Sequence, residues 1–289
     1  VNILIGGTGF IGSALAQALV KRDEEVVSVS RSGRGDVAGV KYVTADFNTD
    51  LLPQSLVRKA NNIFFLIGQI GPNFDAGKEK KVLQRVVKPL ARGKQKIFLF
   101  STALVYGNSK TPVDEHAPSQ PIGVYPQFKL ASEKIIHDII PADRLVILRL
   151  ANVYGSPKNR GLIGVAMKKI VNSDRTPLQI HGGGQQRRDY IFLDDVVGAI
   201  LAVKEKASNF GTVNVATGHT YSILEVIELL SGVVGQTIPY EFADYQPEEA
   251  QTLIISNRHL QDHFGYRRFT PLREGLKKTI ARYRKGNTS

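Results

Sequence analysis

The chain opens on an apolar run that breaks into glycine and resumes as a helix: "NILIGGTGFIGSAL", Asn2 to Leu15. A strand joined to a helix by so tight a turn is the first half of a βαβ unit, and it restricts the fold more than any other stretch. The alternation then continues. "EVVSVS", "KYVTAD", "NIFFLIG", "KIFLFST" and "LVILRL" are β-branched or aromatic runs of strand length, with helical periodicity between most of them. Such alternation implies right-handed parallel crossovers, hence an α/β fold with a doubly wound parallel sheet. Further on, "RRDYIFLDDVVGAILAVKE" reads as a short strand running into a helix, "GTVNVATG" as a strand and "YSILEVIELLSGVVG" as a helix. The remainder has more turns and fewer buried strands, as a smaller C-terminal lobe would.

Composition narrows the function classes. The 289 residues, 42% hydrophobic and 22% charged, are enough for a sizeable soluble core. There is no cysteine, which excludes disulfides, thiolate metal sites and cysteine nucleophiles. Asp194 and Asp195 read as N-terminal capping residues of the helix they open. His181 and His219 lie beside glycines with no ligand cluster in the pattern, so no metal is expected. Runs such as "IFFLI" are too short to span a bilayer, so no membrane partner is expected. No leader is expected before the first strand, and the cytoplasm is the expected location. The net charge of +12 would suit a phosphorylated small molecule or a nucleic acid. Much of it lies in 78–96, where Val82, Leu83, Val86, Val87 and Leu90 mark one apolar helix face opposite a solvated basic one. No aromatic residues interleave those basic ones to stack bases, so nucleic acid is not the expected partner.

The opening turn carries Gly7-x-Gly9-x-x-Gly12, with Gly6-x-x-Gly9-x-x-Gly12 overlapping it. Glycine allows positive φ, lets backbone approach a pyrophosphate and lets the helix pack closely on the strand, while the helix N-terminus directs positive charge at the phosphates. The stretch Gly6, Thr8, Gly9, Phe10, Ile11 and Gly12 is therefore read as a dinucleotide cradle. About twenty positions on, NAD sites place a carboxylate for the ribose 2′-hydroxyl and NADP sites an arginine for the 2′-phosphate. Here the stretch reads Ser30-Arg31-Ser32-Gly33-Arg34. Arg31 and Arg34 thus favour NADP(H), with NAD(H) the alternative.

Tyr125-Pro-Gln-Phe-Lys129 is a Y-x-x-x-K match. Tyr125 precedes a proline and is expected just outside a helix, with Lys129 one turn along on the same face. A neighbouring ammonium favours phenolate, which would make Tyr125 an acid or base near neutral pH. Upstream, "FLFSTALVYG" ends a strand in the hydroxyl residues Ser101 and Thr102, at the sheet edge where ligands of open α/β folds bind.

With these motifs in order, the chain resembles an extended short-chain dehydrogenase/reductase of the NAD(P)-dependent nucleotide-sugar epimerase/dehydratase family. The resemblance runs through "GGTGFIG", "STALVYG", "YPQFK", "RLANVYG" and "GGGQQRRDYIFLDDVV", and more weakly to "GYRRFTPLREGLKKTI". It implies a Rossmann-like dinucleotide-binding domain over 1–152, completed by about 187–217. It also implies a smaller substrate-binding lobe from 153–186 and 218–289. Thr102, Tyr125 and Lys129 take the positions of the catalytic triad, Lys129 also holding the nicotinamide ribose. Asp46 and Phe47 match adenine-side positions, and Leu66, Ile67 and Gly68 the wall beside the adenosine ribose. Ala103 and Asn152 match substrate contacts, and Arg188 an arginine that reaches the substrate diphosphate.

Three departures from the family pattern shape the expected reaction. Ala103 and Leu104 stand where dehydratases carry an acidic pair, which argues against dehydration. There is no cysteine for epimerisation at C3 and C5. The stretch 244–251 lacks the arginine that clamps the diphosphate in many members. The reading that follows is NADPH-dependent reduction of a 4-keto nucleotide sugar, with Tyr125 as the acid. A 4-epimerase on the same Thr-Tyr-Lys machinery is the alternative, and a catalytically silent cofactor- or RNA-binding protein a second. A homodimer is expected through helices 78–92 and 126–139, with Val82, Val86, Ile135 and Ile136 at the contact.

Overall fold

The structure, a computed structural model, describes residues 1–67, 75–206, 211–244 and 251–286. β1 (Asn2–Ile5) leads through the glycine turn into α1 (Phe10–Val20), followed by β2 (Val26–Ser30) and β3 (Val40–Thr44). Then come α2 (Gln54–Lys59), β4 (Asn62–Phe65), α3 (Ala76–Val87) and β5 (Lys96–Thr102). After β6 (Ser109–Val113), α4 (Val124–His137), β7 (Leu145–Leu150) and β8 (Asn152–Tyr154), the chain forms α5 (Leu162–Val171), β9 (Leu178–His181) and β10 (Arg187–Phe192). α6 (Leu193–Lys206), β11 (Gly211–Val215), β12 (Thr220–Ser222) and α7 (Ile223–Val234) follow. β13 (Tyr240–Ala243), β14 (Leu253–Ile255), α8 (Arg258–Phe264) and α9 (Leu272–Gly286) close the described chain.

Seven strands form one sheet in the order β3-β2-β1-β4-β5-β7-β11. The pairs β3–β2, β2–β1, β1–β4 and β4–β5 are all parallel. This is the Rossmann-like doubly wound arrangement: β2 and β4 flank β1, so the connections leave in opposite directions and open a crevice at the strands' carboxyl ends. All six strands expected from the first half of the sequence lie in this sheet, and "GTVNVATG" supplies its edge strand β11.

The described residues divide into two compact units. The first is Val1–Thr102, Val124–Arg149 and Lys204–Val213; the second is Ala103–Gly123, Leu150–Val203 and Asn214–Ser289. This differs from the expected division at 1–152, 153–186, 187–217 and 218–289. Residues 103–123 group with the second unit because β6 pairs in parallel with β14 there. β10 groups with it through β8 and β12.

In the first unit β1 is buried throughout, as a parallel strand covered on both faces must be. On one face Ile3, Ile5, Val29, Ile63, Phe65 and Leu99 join Val86, Val87, Leu90 and Ile136 in a single core. Alternate residues Phe64 and Phe98 stack, ring centroids 4.7 Å apart. Each such buried side chain contributes about 1.5–3 kcal/mol, so the strand ends that face the crevice rest on a rigid base.

The same packing removes Val86 and Ile136 from the expected dimer contacts. Val86 and Ile136 are 0% exposed, and Val82 and Ile135 lean on the same core. The apolar stripes of α3 and α4 are used within the chain because both helices must cover the sheet. In the second unit β12-β10-β8, β13-β9 and β14-β6 form small sheets. Among the described residues no helix is long and apolar enough to cross a membrane.

Candidate active site

In the first unit the glycines divide the work of the turn. Gly6 adopts φ +80°, a region closed to most side chains, and its amide donates to the Val29 carbonyl at 2.9 Å. A Cβ on Gly12 would lie 2.6 Å from the Gly7 Cα, so α1 can seat directly on the turn only with glycine there. Gly9 is the N-cap of α1 and offers no side chain to the helix's first amides. A Cβ on Gly9 would meet only the Gly6 carbonyl oxygen, at 3.6 Å. The amides of Phe10, Ile11 and Gly12 thus open the helix with no side-chain cap, which suits an anion.

A groove of about 840 Å³ lies beside this turn, and six of the expected cofactor-side residues line it: Gly6, Thr8, Arg31, Asp46, Phe47 and Ile67. Asp46 is held in its own turn: the Asn48 amide and side chain both donate to Oδ1, at 3.0 and 2.8 Å. Those bonds, with the Arg31 charge nearby, keep the Asp46 carboxyl below its ordinary value. Arg85 of α3 donates to the carbonyls of Phe47 and Asn48 and so fixes this rim. Ser30, Ser32, Asn48 and Lys78 also line the groove and were not expected from the sequence. Ser30 and Ser32 flank Arg31 at the end of β2 and could have been read from that position. Lys78 carries no local signal, because only the topology brings α3 to this groove.

Two expectations change here. Arg34 does not line the groove with Arg31; it is exposed on the loop beyond it. Gly33, at φ +58° and packed against Thr44, turns the chain between the two arginines. Leu66 is half-buried and continues the β1 ladder, its amide donating to the Ile5 carbonyl at 3.0 Å. Gly68 lies outside the described residues.

Thr102 ends β5 and is 8% exposed. α4 begins at Val124, so Tyr125 lies inside its first turn, not just before it. Pro126 is compatible with that start because a first-turn amide has no intrahelical partner to lose. Lys129, one turn on, is 6% exposed. Its ammonium donates to the Phe100 carbonyl at 2.9 Å and to the Ile67 carbonyl at 3.4 Å. Ile67 also lines the groove, while Lys129 lines a small neighbouring cavity with Ile67, Phe128 and Ser132. The expected lowering of the Tyr125 phenol does not hold: burial pushes it up to about 12. Burial disfavours the phenolate, so Tyr125 carries its proton at neutral pH.

In the second unit Ala103, Asn152 and Arg188 line one small pocket, with Leu104, Asp189 and Ile255 beside them. β8 pairs with β10 so that Asn152 faces Tyr190 in register. The Arg188 guanidinium donates to the Arg187 carbonyl at 3.0 Å and the Gln251 carbonyl at 3.4 Å. Asp189 is buried and accepts from the Thr217 amide (3.1 Å), the Thr217 hydroxyl (2.9 Å) and the Gly218 amide (2.7 Å). Burial nevertheless pushes its carboxyl up to about 6.

Asp194 and Asp195, expected to cap α6, lie inside its first turn and tie it to other segments. Asp195 accepts from the Thr270 amide and hydroxyl at 2.7 and 3.0 Å, and Asp194 pairs with Arg282 at 2.7 Å. His181 meets the Asp244 carbonyl. Among the described residues no group of His, Asp and Glu is arranged to hold a metal. Residues 245–250, within the stretch expected to lack the diphosphate-clamping arginine, lie outside the described residues.

A doubly wound sheet with a glycine turn on its first strand and a Tyr-x-x-x-Lys helix beside the crevice defines a Rossmann-like enzyme of the short-chain dehydrogenase/reductase type. More narrowly, the chain belongs to the NAD-dependent epimerase/dehydratase family, whose model matches residues 3–216. It is 28% identical to the UDP-glucose 4-epimerase of Azospirillum brasilense, over 91% of this chain and 86% of that protein. It is 24% identical to the dTDP-4-dehydro-6-deoxyglucose reductase of Escherichia coli, over 96% of both. The UDP-glucuronic acid 4-epimerase of Bacillus cereus, solved with UDP-glucuronic acid and NAD, superposes with a TM-score of 0.86 at 25% identity, over 99% of both chains.

Proposed function

We propose that this protein is a 4-epimerase of a nucleotide sugar, with UDP-glucose or UDP-glucuronic acid as the substrates to try first. The observation that carries the reading is Lys129: its ammonium donates to the carbonyl of Ile67, a residue lining the groove beside the glycine turn, and it lies one helical turn from Tyr125. The epimerases among the relatives support it. The glycine turn fits a dinucleotide, because Gly6 takes positive φ and Gly9 leaves the first amides of α1 open. The turn residues Gly6 to Gly12 would hold the pyrophosphate, Asp46 and Phe47 the adenine side, Ile67 the ribose wall, and Lys129 the nicotinamide ribose. When bound, the dinucleotide supplies reversible hydride acceptance at the sugar's C4.

The chain's own residues do the proton work. Tyr125, protonated at neutral pH, is set to exchange a proton with the sugar's 4-oxygen, and the Lys129 charge steadies its phenolate form. The Thr102 hydroxyl hydrogen-bonds that oxygen. Ala103 and Asn152 would contact the sugar and Arg188 the diphosphate.

A second reading, an NADPH-dependent 4-ketoreductase, is favoured by Arg31. It lines the groove between Ser30 and Ser32 at the end of β2, where a 2′-phosphate would find a cation and hydroxyls. A proton NMR assay with UDP-glucose, UDP-glucuronic acid and catalytic NAD or NADP separates the two. Formation of the 4-epimer with no net change in reduced cofactor supports the epimerase. Stoichiometric NADPH oxidation on a 4-keto sugar, without epimer, supports the reductase.

A further inference from the structure

Beside the carboxyl end of β5 lie buried charges, on α4 and β7, that the proposed chemistry does not use. Glu133 follows Lys129 by one turn of α4, with a side chain 5% exposed. Arg149, at the end of β7 and 8% exposed, grips its carboxylate with two bonds: Nη2 to Oε2 at 2.7 Å and Nε to Oε1 at 3.2 Å. The Ser101 hydroxyl donates to Oε1 of the same carboxylate. Taking two charges out of water is costly, and an apolar pair of similar size is often neutral or stabilising. Stability alone therefore does not account for this assembly.

Geometry does. β4 pairs with β5 only as far as Leu99, so the residues beyond it have no β4 partner. α4 grips two of them in succession: Lys129 donates to the Phe100 carbonyl, and Glu133 accepts from the Ser101 hydroxyl. Thr102 is the next residue. We infer that Glu133 is a positioning residue: with Arg149 orienting its carboxylate, it fixes the end of β5 so that the Thr102 hydroxyl is held in one place. The inference rests on reading Thr102 and Tyr125 as the reacting pair.

Removing one charge strands the other, so the informative variant removes both: Glu133→Gln with Arg149→Met. Ser101→Ala is its companion, because it keeps the ion pair and removes only the grip on β5. Hydrogen exchange read by mass spectrometry is expected to quicken about tenfold in peptides covering 100–104 and to stay unchanged in β1, with the melting temperature retained. In the turnover assay kcat falls about tenfold or more, while KM and the affinity for NAD stay within about twofold, as misplacement of a reacting group predicts. If the double variant fails to fold, Ser101→Ala decides by the same readouts. Wild-type exchange in 100–104 together with wild-type kcat in a folded variant overturns the inference. If the wild-type protein turns over no nucleotide sugar, the proposed function fails, and the exchange result still decides whether Glu133 positions the strand end.

Discussion

Replacing Asp189 with Asn and following stability against pH tests whether burial or hydrogen bonding governs this carboxylate. The side chain is 2% exposed, and its carboxyl is pushed from 3.8 to about 6 by burial, against the three donors from Thr217 and Gly218. The folded form thus binds a proton more readily than the unfolded form. Stability from this group is fully present below the unfolded value of 3.8 and is lost as pH rises through about 6. A gap of about 2 units amounts to ~3 kcal/mol in all. The linkage relation places about 1.3 kcal/mol of it between pH 5 and 7. The Asn variant has no titrating group at this position, so subtracting its urea-unfolding free energy at each pH cancels the protein's other ionisations to first order. The wild type is expected to lose about 1 kcal/mol relative to the variant from pH 5 to 7. A difference that stays flat, or grows with pH, would refute the reasoning, since it would show that the three donors keep Asp189 ionised.

Other perturbations probe the first unit. Gly12→Ala places a methyl 2.6 Å from the Gly7 Cα, against backbone that cannot rotate away. The expected loss is about 1–3 kcal/mol in urea unfolding, and unchanged stability would contradict the seating of α1 on the turn. Tyr125→Phe removes the phenolic proton and keeps the ring. Turnover should fall about 10²–10⁴-fold with dinucleotide affinity retained, and wild-type turnover would remove Tyr125 from the chemistry. Arg31→Asp should shift preference from NADP toward NAD, because the carboxylate repels a 2′-phosphate and accepts from a 2′-hydroxyl. Equal affinities in both proteins, by titration, would dismiss Arg31 as the selector.

What could be read from the sequence was what local pattern controls. The glycine turn and the alternation of strand and helix declare the sheet, because each βαβ unit writes its own periodicity. Tyr125 and Lys129 are legible because helical spacing places them together. The start of α4 was misread by one residue or more, since a proline limits its predecessor but still fits a first turn. Where Arg34 sits relative to Arg31 was not legible, because Gly33 turns the chain between them in a way only the fold reveals. Val86 and Ile136 offered the same apolar signature whether they faced a partner or the chain's own core. Glu133 and Lys78 were invisible for a related reason. A charged residue on an amphipathic helix looks solvated until the topology sets that face against a strand end or a groove.

The claim that matters most is that hydride leaves C4 of a nucleotide sugar and returns to the same carbon. Incubating the protein and its dinucleotide with a nucleotide hexose deuterated at C4 tests this directly, with both C4 epimers followed by NMR and mass spectrometry. Both epimers are expected to keep the deuterium at C4, with no hydrogen taken up from solvent and no net change in cofactor. Loss of the label to solvent, or its stoichiometric transfer to the cofactor without formation of the epimer, would contradict it.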